Sequence, residues 1–536
     1  MAIHVNQCGY LPSHKKTAVL TAPAEEFWLV DSASGERVYS GAVTYGGADE
    51  ASGDDVSIAD FSDFAAEGRY RVVTSSGEQS YNFNISAAAY KAVKIDMLRA
   101  LYYQRCGCAL EEKHAGVYTH AECHKDLSAI LYNEDVLVDM TGGWHDAGDY
   151  GRYITPAATT VAHLLYAYEL FPSKISDDMN IPESGNGVPD VLNECRYELE
   201  WMLKMQEKTS GGVYHKLTTY YHAPFVMPEH DKERMLAYPI SSLATGAFAA
   251  CMALCYRVYK KYDAVFADKM LAAAKEAWRW LIANPHFVGA PENPKGGNTG
   301  IYGDKSDKDE RFWAAAELYR ATGDELYHKV FADFAHQNFA KAEFGWVNVS
   351  AFASVSYVFN PSDVADERLR EYLRGELIAK ADKVYAVHLA DKYGNSITPA
   401  EYCWGSNMVV ANHAMNFVIA AILTSDKKYE EAAIAQIDYL LGKNAMGISY
   451  VTGHGENAYR NPHLRTTFAD GIDDPMPGWV SGGPNSRPSD DTAMYLIKKG
   501  TPPAKCYIDR WECYSLNEMT IYWNSPVIFA AAYFDK

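Results

Sequence analysis

The hydrophobic pattern of this chain changes near residue 87, and that change limits the folds available to it. Up to residue 86, short segments of strand-like residues are separated by turn clusters such as SASGE and SSGEQ, which is typical of a small β-sandwich. Beyond it, apolar residues recur three and four positions apart, which is typical of amphipathic helices. The sequence therefore predicts a β-sandwich domain over 1–86 and a mostly α-helical domain over 87–536.

The helical part contains too many helices for a single four-helix bundle. No repeat of about 34 or 40 residues is visible, which argues against an α-solenoid. We therefore predict six helical hairpins closed into an (α/α)6 barrel. The predicted strands are KTAVLTA, EEFWLVDSA, ERVYSGAV, GRYRVVTSS and SYNFNIS, and the twelve predicted helices cover 88–105, 156–171, 188–207, 240–261, 263–284, 306–321, 324–341, 346–358, 366–391, 407–424, 427–443 and 514–535.

Composition excludes several classes of function. The chain has 48% hydrophobic and 22% charged residues and no apolar run of about 18 residues, so we expect a globular protein without a membrane span. The 49 basic and 69 acidic residues give a net charge of −20, which disfavours binding to nucleic acid. We expect a monomer with a neutral or cationic ligand. Aromatic residues make up 13% of the chain, which suits either stacking on apolar ring faces or a large helical core.

The cysteine count and the N-terminus bear on the cellular compartment. Ten cysteines are too sparse in 536 residues for a disulfide scaffold. The N-terminus MAIHVNQCGYLP has no basic region followed by an apolar one, so it is not a secretory signal. The expected location is the cytoplasm, or outside the cell if a signal has been removed.

Four long connections, 106–155, 208–239, 285–305 and 444–513, are expected to carry function because structureless loops of this length are uncommon in compact domains. The first contains GGWHDAGDYGRY, with Asp146 and Asp149 three residues apart. Two carboxylates at this spacing can share a water molecule, one positioning it and the other accepting its proton. The alternative is a turn built from Asp and Gly.

A third carboxylate, Glu518, lies in WECYSLNEMTIYWNSP beside Tyr514 and Trp523, at the predicted start of an apolar helix. An apolar setting raises the pKa of a carboxyl and suits a general acid. A helix N-terminus would lower the pKa and keep the group ionised. Between these acids, YVTGHGENAYRNPHLR groups the hydrogen-bond donors His454, Arg460, His463 and Arg465.

Taken together, these segments resemble the family 9 glycoside hydrolases, the inverting cellulases, in the branch with an N-terminal immunoglobulin-like domain. The resemblance runs the length of the chain, in the family's order. It is carried by VNQCGYLP, LYYQRCG, ECH, GGWHDAGDYGRY, IPESGNGVPDVLNE, GGVYHKLTT, FVMPE, YCWGSN, GHGENAYRNPHLR and SLNEMTIYWNSP.

The resemblance implies an (α/α)6 barrel that hydrolyses β-1,4-glucan, with Asp149 as general base, Asp146 as its partner in holding the water, and Glu518 as general acid. It also implies that His463 and Arg465 contact sugar. For inversion, the base and the acid are expected about 6.5–9.5 Å apart. The aromatic residues in or beside the matched segments are expected to offer stacking platforms: Trp144, Trp404, Trp479, Tyr514 and Trp523.

Metal sites follow from the same resemblance. Cys106, Cys123, His124 and His145 match a structural zinc site, although buried free cysteines are the simpler reading of the residues alone. Such a closed site would brace the catalytic loop and would not activate water; Cys108 and His120 are near enough in sequence to be mistaken for ligands. The loop ESGNGVPD offers Glu183, Asn186 and Asp190 to calcium, or is a capped turn.

The expected function is therefore inverting, endo-acting hydrolysis of a β-glucan polysaccharide or a cello-oligosaccharide. One alternative is an exo-acting enzyme, a β-glucosidase, cellobiohydrolase or glucosaminidase. Another is a catalytically silent glucan-binding protein. A hydrolase with a catalytic zinc ion is a further alternative, and four available ligands argue against it because a catalytic site needs an open position.

Overall fold

The computed structural model describes residues 2–175, 178–361 and 366–535. The chain forms two compact units, and unit 1 is built from three separate stretches of the sequence. Unit 1 comprises Met1–Ala100, Ala381–Thr467 and Gly471–Lys536, and unit 2 comprises Leu101–Lys380 and Phe468–Asp470.

Unit 1 begins with seven strands joined in the order β1-β2-β5-β4-β3-β6-β7. All five predicted strands are confirmed. Two more were not predicted, β1 because it has only two residues and β5 because acidic and small residues mask its alternation. The strands are β1 (Ile3–His4), β2 (Thr17–Leu20), β3 (Glu26–Asp31), β4 (Arg37–Ala48), β5 (Asp55–Asp60), β6 (Gly68–Thr74) and β7 (Phe83–Ile85).

Strand β4 links the two halves of this sheet. Its first half pairs with β3 and its second half, from Val43 onward, pairs with β5. Side chains from both halves meet in one apolar cluster that includes Phe27, Leu29, Ala59 and Val72. The region is thus a sandwich around a shared core, and it ends at Ile85, six residues before the first helix. The domain boundary at residue 86 stays a prediction.

All twelve predicted helices are present, with ends shifted by a few residues. Four short helices, α2, α13, α14 and α15, were not predicted as separate elements. The helices are α1 (Lys91–Tyr103), α2 (Glu112–Ala115), α3 (Ile154–Leu170), α4 (Asp190–Lys204), α5 (Ser242–Tyr259), α6 (Ala264–Ala283), α7 (Lys308–Thr322), α8 (Glu325–Ala335), α9 (Ser350–Val358), α10 (Glu367–Ala390), α11 (Ser406–Thr424), α12 (Lys427–Leu440), α13 (Arg465–Ala469), α14 (Asp491–Leu496), α15 (Tyr514–Asn517) and α16 (Ile521–Phe534).

In unit 1, α11 packs against α12 and α16. Helix α11 is long and apolar enough to cross a bilayer, but 72% of its most apolar window is buried in the protein, as is usual for a core helix. It ends at Ser425 in a left-handed conformation, and the Asp426 carboxylate then caps α12 by accepting from the Lys428 amide at 3.0 Å.

In unit 2, α5 is the central helix and packs against α3, α6 and α7. Sixteen of its eighteen residues are buried, so it presents no polar face and reads as a continuous apolar run. The Ser241 hydroxyl fixes its start by accepting from the Ala244 amide at 3.0 Å.

Unit 2 also contains a five-stranded sheet, in the order β10-β11-β12-β8-β9, which corrects the expectation that 106–155 and 208–239 are structureless. Its strands are too short, two to six residues, to give a periodic signal. They are β8 (Ser128–Ile130), β9 (Asn133–Val138), β10 (Arg152–Tyr153), β11 (Lys216–Thr218) and β12 (Leu236–Ala237). Strand β10 of this sheet begins three residues after Asp149, so the sheet anchors the end of the Asp146–Asp149 turn.

Candidate active site

Asp146 and Asp149 lie in a tight, buried turn that leads into β10. The Asp146 amide donates to the Gly151 carbonyl at 2.9 Å, and the Gly151 amide donates to Asp149 Oδ2 at 2.9 Å. A Cβ atom on Gly151 would lie 2.7 Å from Asp149 Oδ2, so glycine is needed for this close approach. The turn holds both carboxylates on one short stretch of chain, as their spacing predicts.

The two oxygens of Asp146 have different environments. Oδ2 accepts a hydrogen bond from the Tyr302 hydroxyl at 2.5 Å, while Oδ1 is buried and has no hydrogen-bond partner among the described residues. Burial is the main factor that raises the pKa of Asp146 well above its usual value; the charge of Asp149 adds to it and the Tyr302 hydrogen bond opposes it. One oxygen is therefore fixed by the protein, and the other is left for a small polar molecule.

Asp149 has a second neighbour in His222, whose Nδ1 lies 3.3 Å from Oδ2. His222 is partly exposed, and its amide donates to Asn298 Oδ1 at 3.0 Å. This contact ties the turn to the segment 293–302. Sequence analysis did not single out His222, because neither its spacing nor its type marks it.

Tyr302 is also outside the set of residues predicted from the sequence. It has a left-handed backbone with φ 49°, and its ring packs 4.7 Å from Tyr153 and 4.9 Å, edge to face, from Trp346. A non-glycine residue in this conformation persists only when its surroundings hold it. The only sequence feature that pointed to Tyr302 was the length of the connection 285–305, in which it lies.

Glu518 lies in unit 1 and differs from its prediction in local structure. It follows α15 in an extended conformation, φ −62° and ψ 151°, and comes three residues before α16 begins at Ile521. The prediction that it starts the apolar helix is wrong, so the argument from the helix dipole does not apply. Its carbonyl accepts from the Gly482 amide at 2.9 Å, and its side chain is half-buried.

His463 and Tyr514 lie around Glu518 with an exposed tryptophan. The His463 amide donates to the Asn517 carbonyl at 2.9 Å, one residue before Glu518. The Tyr514 ring is 5.7 Å from His463 and 5.3 Å from Trp404, which is 45% exposed. Arg465 is buried at the start of α13. Trp404 and Tyr514 thus offer ring surface to solvent beside Glu518, as predicted for stacking platforms, and their sugar contacts stay a prediction.

The other three predicted platforms are buried. Trp144, Trp479 and Trp523 are each 2% exposed or less, so their rings are not presented to a ligand, which corrects that expectation. Trp144 shows why: its indole N–H donates to Glu194 Oε1 at 2.7 Å and its amide to Glu198 Oε2 at 2.5 Å, both on α4. It anchors the loop to the core.

The four predicted zinc ligands come together in unit 2. Each of these residues offers one ligand atom, and the four atoms lie within 4.8 Å of one another: Cys106, Cys123, His124 and His145. His145 Nε2 is buried without a partner among the described residues, and the Cys106 sulfur lies 3.6 Å from His124 Nδ1. Two thiol and two imidazole groups in one buried cluster match a tetrahedral zinc site.

The zinc group has an outer partner as well. Asp231 Oδ2 lies 3.2 Å from His124 Nε2, which leaves Nδ1 facing the cluster. A carboxylate behind a ligating histidine fixes the ring tautomer and orientation. Cys108 and His120 are not among the described residues that form this group.

The predicted calcium ligands are engaged elsewhere. Glu183 pairs with Arg105 at 2.9 Å, and Asp190 Oδ2 accepts from the Ser184 hydroxyl at 2.8 Å. The Asn186 amide pairs with Asn193 at 3.1 Å. The three residues take part in a capped turn, and calcium binding by this loop stays a prediction.

A different carboxylate group lies next to Tyr302. Carboxylate oxygens of Asp304, Asp309 and Glu310 lie within 4.8 Å of one another. Glu310 Oε2 is buried without a partner among the described residues, and burial raises the pKa of Asp309 to about 6 and that of Glu310 well above its usual value. Such clustered oxygen atoms are suited to a hard cation.

Comparison with known proteins gives matches over the whole chain. The model of glycosyl hydrolase family 9 matches residues 90–531, and that of the cellulase N-terminal ig-like domain matches residues 1–79. A cellodextrinase from Butyrivibrio fibrisolvens is 43% identical over 98% of both chains, and endoglucanase D from Acetivibrio thermocellus is 35% identical over 99% of this chain and 83% of its own.

The solved structure of a single mutant of a thermostable endoglucanase from Alicyclobacillus acidocaldarius is similar throughout. It superposes with a TM-score of 0.94 at 34% identity and covers 100% of this chain and 99% of its own. The expected fold class, an (α/α)6 barrel preceded by an immunoglobulin-like β-sandwich, is confirmed. With its carboxylate turn, its N-terminal sandwich and a family match over 90–531, the chain belongs to glycosyl hydrolase family 9.

Proposed function

We propose that this glycoside hydrolase cleaves β-1,4-glucosidic bonds in glucans with inversion of configuration and attacks bonds within the chain. The observation that carries the proposal is the Asp146–Asp149 turn, where one carboxylate oxygen is held by Tyr302 and another is left without a protein partner. That asymmetry suits a site that must place one water molecule in a fixed orientation.

In the proposed reaction, Asp149 accepts a proton from this water while Asp146 Oδ1 accepts its second hydrogen bond. The water oxygen bonds to the anomeric carbon, and the bond from that carbon to the glycosidic oxygen breaks. Glu518 protonates the departing oxygen, so Asp149 finishes protonated, Glu518 finishes ionised, and the proton state of Asp146 does not change. The Asp149–Glu518 separation of about 6.5–9.5 Å stays a prediction.

The mode of attack separates two versions of this function. The similar proteins include a cellodextrinase and an endoglucanase, names that differ in the length of the substrate. We test this by following viscosity and products on carboxymethylcellulose, mixed-linkage β-glucan and cellopentaose, together with the anomer formed first. Rapid loss of viscosity with α-anomers supports inverting endo attack. Release of one small sugar from cellopentaose alone would show exo attack, and β-anomers would contradict inversion.

Tyr302 gives a prediction on the role of Asp146. Replacing Tyr302 with phenylalanine removes the hydroxyl that holds Oδ2 and leaves the ring contacts with Tyr153 and Trp346 in place. We expect kcat to fall about 100-fold with KM little changed, because misplacing a reacting group costs rate and leaves sugar binding intact. The measurement is steady-state kinetics on cellopentaose. Tyr153→Phe is the matched control, and an equal effect of both variants would contradict a specific role for the Tyr302 hydroxyl.

We further propose that Cys106, Cys123, His124 and His145 hold a structural zinc ion and that Asp304, Asp309 and Glu310 hold a hard cation such as Ca²⁺. Four protein ligands would leave zinc no open position, so it would brace the loop that ends at Asp149 and take no part in the reaction. The oxygen ligands of the second group suit calcium better than zinc. Metal analysis of the purified protein tests both assignments.

A further inference from the structure

Lys216 is a buried lysine beside the carboxylate turn. It lies on β11, paired directly opposite Tyr153 of β10, the strand that follows Asp149. Its side chain is buried, and Nζ donates to Asn293 Oδ1 at 2.7 Å, to Thr299 Oγ1 at 2.9 Å and to the Gly300 carbonyl at 2.7 Å. These bonds use the three donors of an ammonium group, and all three acceptors are uncharged.

The preceding residue, His215, holds the same segment. Its Nε2 donates to the Ile301 carbonyl at 2.7 Å, so its Nδ1 accepts from the Ser241 hydroxyl at 2.8 Å. His215 and Lys216, at the start of β11, therefore hold the segment 299–301, immediately before Tyr302. They supply the external restraint that the left-handed conformation of Tyr302 requires.

Lys216 lies beside the turn that carries Asp149: it pairs opposite Tyr153, four residues after Asp149, and its Nζ lies 5.8 Å from the Tyr153 ring. Burial lowers the pKa of Lys216 to about 7, and the charge of Asp149 opposes that shift. The charge of Lys216 acts on Asp149 in turn, because a cation near a carboxylate favours the ionised form of that carboxylate. The titratable groups that face Lys216 are Asp149, the Tyr153 ring at 5.8 Å, the Tyr238 ring at 4.1 Å and the adjacent His215, whose pKa is lowered to about 4 by burial.

We propose that Lys216 is a positioning residue for both carboxylates: its ammonium group stabilises the ionised form of Asp149 and anchors segment 293–302, which carries Tyr302 to Asp146. The proposal rests on the proposed function, in which Asp149 is the general base. It assigns a role in setting the pH range of the enzyme to a residue that takes no part in the proposed proton transfers.

The test is the pH profile of kcat/KM on cellopentaose for wild type, Lys216→Met and Lys216→Gln. The acid limb of this profile reports the pKa of the base in the free enzyme. We expect both variants to move the limb about 1 pH unit upward, since the cation that favours the Asp149 carboxylate is lost, and kcat to fall about tenfold as Tyr302 shifts. Glutamine retains a hydrogen-bond donor for the buried acceptors, so the pH profile can still be measured on Lys216→Gln if Lys216→Met does not fold.

Lys341 supplies the matched control. It is also a buried lysine of unit 2, donates to the carbonyls of Gln337 and Phe339 at 2.8 and 2.7 Å, and lies 3.4 Å from the Phe339 ring. Its pKa is lowered to about 8 by burial, and Asp149 is not among the charges acting on it. Lys341→Met is expected to leave the acid limb where it is in wild type.

The outcomes distinguish the role proposed for Lys216 from the proposal that Asp149 is the general base. An unmoved limb in both Lys216 variants, with Asp149→Asn inactive, overturns the electrostatic role of Lys216 and leaves the base in place. An active Asp149→Asn variant contradicts the base itself. A limb that moves equally in Lys341→Met would show a general effect of losing a buried cation and would also overturn the proposal.

A stability measurement tests independently that Lys216 is charged at the pH of the acid limb. Its pKa is about 7 in the folded protein and 10.5 in the unfolded chain, so the unfolded chain binds more protons between these values. The free energy of unfolding therefore gains a component that rises with pH from about 7 to 10.5. The difference between wild type and Lys216→Met in denaturant unfolding should increase across this window, and an increase that already occurs at or below the pH of the acid limb would show an uncharged Lys216 there and contradict the assigned charge.

Discussion

An Asp149→Asn variant is expected to lose activity on every substrate, with kcat falling about 10⁴-fold, because Asp149 is the proposed acceptor of the proton of the attacking water. A Glu518→Gln variant is expected to differ from it in one respect. Its loss should be as large on cellopentaose, where the departing oxygen needs a proton, and small on 2,4-dinitrophenyl β-cellobioside, whose leaving group departs as a stable anion.

The comparison of two substrates distinguishes the base from the acid without a structure of the complex. Steady-state kinetics on both substrates, with initial rates measured at the same pH, provides the measurement. Glu200, on α4 and paired with Arg196 at 2.9 Å, supplies a control carboxylate, and Glu200→Gln should leave both rates unchanged. Activity of Asp149→Asn on the dinitrophenyl substrate would contradict the role of Asp149 as general base. An inactive Glu518→Gln variant on that substrate would contradict the role of Glu518 as general acid.

Loss of one thiolate from the zinc group is the second change with a large expected effect. Cys106→Ser should purify without zinc and unfold at a markedly lower temperature. A metal that binds only the folded state and is present at about 1,000 times its Kd contributes about 4 kcal/mol to the free energy of unfolding. Metal analysis and thermal unfolding, with and without a chelator, measure the two effects separately.

Cys108→Ser is the control for this variant. Cys108 is a thiol two residues away, and it is outside the group of described residues that could hold the ion. It should retain zinc and its unfolding temperature. Zinc retained in Cys106→Ser, or lost equally in both variants, would contradict the ligand assignment. If wild type without zinc stayed folded but hydrolysed nothing, the ion would have a role in the reaction beyond the structural one proposed here.

The parts of this site that the sequence predicted are those set by local spacing. Asp146 and Asp149 are held by one turn, whereas the set of Cys106, Cys123, His124 and His145 was predicted from the family resemblance and not from spacing. The contacts of Tyr302 and Lys216 depend instead on pairing across the short sheet. Tyr302 is 156 residues from Asp146 along the chain, and no periodic pattern marks either partner.

A residue whose type suits a ligand can instead be engaged by the protein, which the sequence does not reveal. Glu183 offers an oxygen to calcium, but the buried guanidinium of Arg105 binds it. Trp144 offers a ring to sugar, but α4 accepts its indole N–H. Residue type and spacing describe what a side chain is able to do, and burial decides which partner it meets.

The five-stranded sheet of unit 2 has a consequence for exchanging parts between related enzymes. β8 follows the proposed zinc ligands Cys123 and His124, β10 follows Asp149, and β11 carries the lysine that holds segment 293–302. The connections 106–153 and 208–239 are thus joined to one another by backbone pairing. A chimaera in which only 208–239 is replaced would pair β11 of another enzyme with its own β10. A changed strand register there would displace the catalytic turn that precedes β10. Transplanting substrate preference should require moving 106–153, 208–239 and 293–302 as a single block.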